Sequence, residues 1–161
     1  MSGEKELKQA QAVYKALCDM LDGKGWRYQK DENKLSINCG AQGDDLPMEI
    51  RMQVDVERRL VMLLSQMPFD VPENRRNALA VAVSEANSTM VDGNFDYNYL
   101  TGKIIFRMTT SFLDSLIGKE LFEYMFSCAC YTVDEYNDKF LMVAMKDMSI
   151  DQILKFIKGD R

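Results

Sequence analysis

Histidine is absent from the 161 residues. That absence excludes a histidine-based catalytic triad, an imidazole metal site and a histidine pH switch. Positive charge is in deficit, with Lys+Arg 20 against Asp+Glu 25 and a formal net charge of −5, and the pI lies near 4.8. A protein that binds nucleic acid by neutralising phosphates needs the opposite balance, so no nucleic-acid partner is expected. Proline (3) and glycine (9) are scarce, which argues against a disordered or collagen-like chain, and no internal repeat, linker or low-complexity tract is seen along it. No apolar run is long enough to span a bilayer. The charged start Met-Ser-Gly-Glu-Lys-Glu-Leu-Lys offers no apolar stretch for a signal peptide. A cytoplasmic protein without membrane insertion is expected. No cofactor, metal or catalytic motif occurs, and none of these groups is expected.

What is present is the composition of a globular protein, 47% hydrophobic and 28% charged, in a length suited to one domain over residues 1–161. The cysteines are Cys18, Cys39, Cys128 and Cys130. In a reducing compartment they read as free thiols. Cys128 and Cys130 are separated by one residue, which is not the two-residue spacing of redox motifs or zinc knuckles. An enzyme working through either thiol would need a depressed pKa and an accessible sulfur.

Hydrophobic spacing sets the order of elements. Leu7, Ala10, Tyr14, Leu17, Cys18 and Leu21 form one helical stripe over residues 4–22, which Gly23 and Gly25 end. Residues 26–31 and 34–39 read as a hairpin turning at Asp31, Glu32 and Asn33. Met48, Ile50, Met52 and Val54 alternate with Glu49, Arg51, Gln53 and Asp55, a strand with one wet side. After a turn at residues 57–59, Leu60 to Leu64 are apolar in both parities, so each face of that strand needs cover. By side-chain size Leu60, Met62 and Leu64 are assigned to the core, and Val61, Leu63 and Ile105 to an uncovered face.

A second helix is expected to open at residues 70–73, capped by Asp70 or Val71 with Pro72 in its first turn. Its stripe is Leu79, Ala82, Val83, Ala86 and Met90, widened by Ala78 and Val81 enough for a second surface to pack there. Phe95, Tyr97 and Tyr99, then Leu100 to Gly102, then Ile104, Phe106 and Met108 give a hairpin signal. Residues 115–144 read as a long helix broken near Thr132 or Asn137. Ser149 and Gln152 frame a capping box for a last short helix that Gly159 stops. The sum is an α+β fold, a mainly antiparallel sheet with helices packed on one face, in the order α-ββββ-α-ββ-α(α).

The segment LVMLLSQMPFDVPENRRNALAVAVSEANSTMVDGNFDYNYLTGKIIFRMTTSF, residues 60–112, resembles the YbjN family, described as "putative bacterial sensory transduction regulator". The resemblance rests on the strand ending in Met67 and Pro68, the helix start at Val71, Pro72 and Glu73, the pair Ala86 and Asn87, and the hairpin with Gly102. It implies a fold like that of type III secretion chaperones and a non-enzymatic binding or chaperone-like role, often dimeric.

The remaining candidates are charge pairs and a binding surface. Asp44 with Asp45 and Asp134 with Glu135 would serve acid/base or metal chemistry only if brought together; adjacent acids are usually solvated. Arg58 with Arg59 and Arg75 with Arg76 offer forked donors for an anion or ordinary surface charge. Twelve methionines fill a core or furnish an adaptable binding surface. The expected activity is binding of a protein partner by a homodimer through Val61, Leu63, Ile105, Ala78 and Val81. The alternative is a small-molecule sensor with a pocket lined by Phe95, Tyr97, Tyr99 and Phe106.

Overall fold

The computed structural model describes residues 2–159. The elements run α1 (Ser2–Gly23), β1 (Gln29–Asp31), β2 (Ser36–Gln42), β3 (Pro47–Asp55), β4 (Leu60–Gln66), α2 (Arg76–Ser88), β5 (Asn94–Asn98), β6 (Lys103–Ser111), α3 (Lys119–Met145) and α4 (Ile150–Lys158). This is the expected order. The strands form one antiparallel sheet ordered β1-β2-β3-β4-β6-β5.

Local chemistry explains the joints. Helix α1 ends where the Gly25 amide donates to the Asp22 carbonyl and the Trp26 amide to the Leu21 carbonyl, the paired bonds of a Schellman motif that needs a left-handed residue. Gly25 supplies it at φ 72°. In the β1–β2 turn the Asp31 carboxylate accepts from the Asn33 and Lys34 amides at 3.1 Å each. Asp55 accepts from the Arg58 amide at 2.8 Å in the β3–β4 turn. At α4 the Ser149 hydroxyl accepts from the Gln152 amide while the Gln152 side chain accepts from the Ser149 amide, the expected capping box.

Two expectations are corrected. Pro72 is not inside a helical first turn: it stands at the N-cap of a 3-10 turn, Glu73–Arg75, and neither Asp70 nor Val71 caps α2. The chain before it is held extended, because the Met67 amide donates to the Ile104 carbonyl and the Val71 amide to the Gly102 carbonyl. Helix α3 is also unbroken across Thr132 and Asn137. Each low-propensity residue costs at most about 0.7 kcal/mol. The continuous buried face from Phe122 through Phe140 to Ala144 outweighs that, at about 1.5–3 kcal/mol for each large apolar side chain fully buried.

The helices lie against one face. Across the middle of the sheet, Ile37 pairs with Met52, Met52 with Leu63 and Leu63 with Met108, and all four are buried. Helix α3 packs over β3, β4 and β6, α1 over β3, and α2 beside β5. Phe95 of β5 meets Phe106, Tyr136 and Phe140 edge-on at 4.9–5.5 Å between ring centres, a geometry that aromatic pairs favour. Buried apolar residues of the sheet and all four helices form one cluster. Among the described residues no helix is long and apolar enough to cross a membrane.

Candidate interaction surface

Among the described residues no helix packs on the opposite face of the sheet, which is mostly polar. Register fixes which residues stand on it. Asp55 pairs with Leu60, Gln53 with Met62 and Arg51 with Leu64; Met62 then pairs with Thr109, Leu64 with Arg107 and Gln66 with Ile105. Leu60, Met62, Leu64 and Ile105 are all half-buried. They make an apolar stripe along the centre of a polar face, with Leu64 set between Arg51 and Arg107.

Arg107 is itself engaged. Its Nε donates to Asp96 at 2.6 Å and its Nη2 at 3.1 Å, and the guanidinium holds the Asp96 carboxyl below the usual carboxylate range. Towards one end of this face lies an open cleft of about 1060 Å³, lined among others by Tyr28, Asn38, Glu49, Gln66, Phe69 and Lys103.

The placement of Val61 and Leu63 is corrected. Both point into the core at 0% exposure, while Leu60, Met62 and Leu64 face outward. Four residues, 56–59, connect β3 to β4, and this count puts Leu60 opposite the outward Asp55. Counting across that turn would have fixed the parity; side-chain size did not. Ile105 is half-buried on the helix-free face, paired with Gln66. Ala78 and Val81 of α2 are half-buried against the core, and α4 lies along α2.

The other candidates separate into scaffold and surface. The Arg75 guanidinium donates to the Val143 carbonyl at 2.9 and 3.1 Å and to the Lys146 carbonyl, so it caps the carboxy-terminal end of α3. Arg76 donates to the Leu100 carbonyl at 2.7 Å. Arg58 and Arg59 form the β3–β4 turn, with Arg59 at φ 52°. Phe95 and Phe106 are buried in the core and Tyr97 donates to the Arg76 carbonyl; none of these, nor Tyr99, lines the open cleft. Burial pushes all four thiols up, Cys130 to about 11, opposite to what a nucleophilic cysteine requires.

The two acid pairs do meet. The Asp44 amide donates to the Asp134 carboxylate at 2.9 Å, and Asp138, followed by burial and Asp134, pushes the Asp45 carboxyl above its ordinary value. Among the described residues no group of three ligating side chains is placed to hold a metal ion.

The residues that carried the resemblance also converge, at the joint between β4, α2 and the β5–β6 hairpin. Gly102, at φ 74°, lies so close to Val71 that a β-carbon would collide with its backbone. The Asn87 amide group donates to the Phe95 carbonyl at 2.9 Å and accepts from the Phe95 amide at 2.8 Å, covering part of the β5 edge as a paired strand would. These residues build the fold and hold no reacting group.

Comparison with known proteins agrees with this architecture. A crystal structure of YbjN from E. coli, described as a putative transcription regulator, superimposes with a TM-score of 0.55 at 13% identity, covering 78% of this chain and 91% of that one. At that identity the likeness is one of fold. No match was found among curated proteins. The model of the YbjN family, "Putative bacterial sensory transduction regulator", matches residues 14–142. The chain belongs to the YbjN family.

Proposed function

We propose that this protein is a non-enzymatic binding module, regulatory or chaperone-like, that works in the cytoplasm as a homodimer, with residues 1–161 acting as a single unit. The observation that carries this reading is the stripe Leu60, Met62, Leu64 and Ile105 on a sheet face that no helix covers. Apolar side chains gathered on an open face gain by being covered. A two-fold contact would lay the stripe against its own copy. The raised thiols support binding over thiol chemistry.

A sensor reading has less support. Its aromatic wall, Phe95 and Phe106, is consumed by core packing.

The test is the solution mass by light scattering across a concentration series, on the native chain and on Leu64→Asp. Leu64 stands between Arg51 and Arg107, so an aspartate there is tolerated by the monomer. The reading expects a dimer that the substitution dissociates. A native mass of one chain throughout, or a dimer that Leu64→Asp leaves intact, counts against it.

A further inference from the structure

A second surface lies on the outer side of α3, turned away from the sheet. Leu121, Tyr124, Cys128 and Tyr131 recur there at spacings of three and four, the seam of a helix that packs against another helix. Three are well exposed: Leu121 39%, Tyr124 52% and Tyr131 70%. The Tyr124 hydroxyl donates to Asp92, and Val91, next to Asp92, is 94% exposed. The opposite face of α3 already supplies the core, from Phe122 to Ala144, and Cys128 packs at its margin, so the exposed Leu121, Tyr124 and Tyr131 are surplus to it.

Charge selects what fits it. Asp92 borders the seam on one side. Glu120 lies one turn before Tyr124, and Asp134 and Asp138 follow Tyr131 at i+3 and i+7, the same side of the helix. Asp44 joins Asp134 through its amide, and Asp138, then burial, then Asp134 push the Asp45 carboxyl up. Two of the nearby cations are engaged, Lys24 with Glu123 at 2.6 Å and Lys139 with Glu135 and the Tyr136 ring. A second copy of α3 laid on this seam would bring acids against acids whether parallel or antiparallel. We propose that the α3 seam docks a basic amphipathic helix of a partner protein. Apolar side chains of that helix sit on Leu121, Tyr124 and Tyr131, and its lysines or arginines face the bordering carboxylates. This holds whether or not the sheet face dimerises.

Fluorescence anisotropy with two synthetic peptides tests it. One is an amphipathic helix with leucine at a and d positions and lysine beside them; the other carries glutamate in place of lysine. The lysine peptide is expected to bind and the glutamate peptide to bind at least about tenfold more weakly, because like charges oppose it. Leu121→Ser and Tyr131→Ser, at exposed positions, are each expected to weaken the lysine peptide by about tenfold, the loss of an apolar anchor. Asp138→Asn should weaken it less and flatten its salt dependence. Leu64→Asp, on the other side of the molecule, should leave it unchanged. Equal binding of the two peptides, or indifference to Leu121→Ser and Tyr131→Ser in chains whose circular dichroism is native, overturns the proposal. So does a fall in the protein's own mass on those substitutions, which would make a second copy the occupant.

Discussion

Arg75 shows how a surface-type residue becomes structural. The last carbonyls of a helix lack partners within it, and the planar guanidinium gives α3 donors that a lysine could not place together. Arg75→Met keeps much of the packing and removes those bonds. Urea unfolding is expected to show a loss of about 1.5–3 kcal/mol, the range for hydrogen bonds made by a charged group. A carboxylate depressed in the folded state, as Asp96 is by Arg107, adds stability above the ordinary carboxylate pKa. That contribution disappears as pH falls through its lowered value. Asp45 has the reverse sign: raised by Asp138, it favours the fold at low pH and opposes it once pH rises through its own value. Asp138→Asn is therefore expected to lower the Asp45 pKa towards normal, read from the side-chain carboxyl shift in an NMR titration. An unmoved titration would show that Asp138 is not the cause.

Strand β4 is the element on which two readings diverge. An aspartate at Leu63 would be buried under the helices without a cation, whereas one at Leu64 faces outward between arginines. Leu63→Asp is expected to cost several kcal/mol, about 3 or more, as for an uncompensated buried charge; Leu64→Asp should stay within about 1 kcal/mol of the native chain. Thermal unfolding of the two variants decides this, and equal destabilisation would contradict the register. The alternation of β3, the capping box at Ser149 and the glycine-turned hairpin at Gly102 were legible in the sequence because each rests on neighbours a few residues apart. The facing of β4 was written in the length of the turn before it, a weaker signal than side-chain size suggested. The continuity of α3 across Asn137 was not legible, since tertiary packing of its buried face overrode local preference. Neither was the meeting of Asp44 with Asp134, 90 positions apart, nor the capping of α3 by Arg75.

At the scale of the whole molecule, among the described residues one side of the sheet is closed by α1, α2 and α3, with α4 packed on α2 and α3, and the other is open. Gly102, Val71 and Asn87 tie β4, α2 and the β5–β6 hairpin together on the closed side of the sheet. The apolar stripe of the open face is narrow and bordered by charge, which suits a contact with defined register better than loose adhesion. In the proposed homodimer this open face joins the two copies. Light scattering on the native chain and on Leu64→Asp, over the same concentration series, tests it most directly. The native protein is expected at twice the 18.5 kDa chain mass and the folded variant at that of a single chain. A native protein of one chain mass throughout, or a variant that stays dimeric, would contradict it.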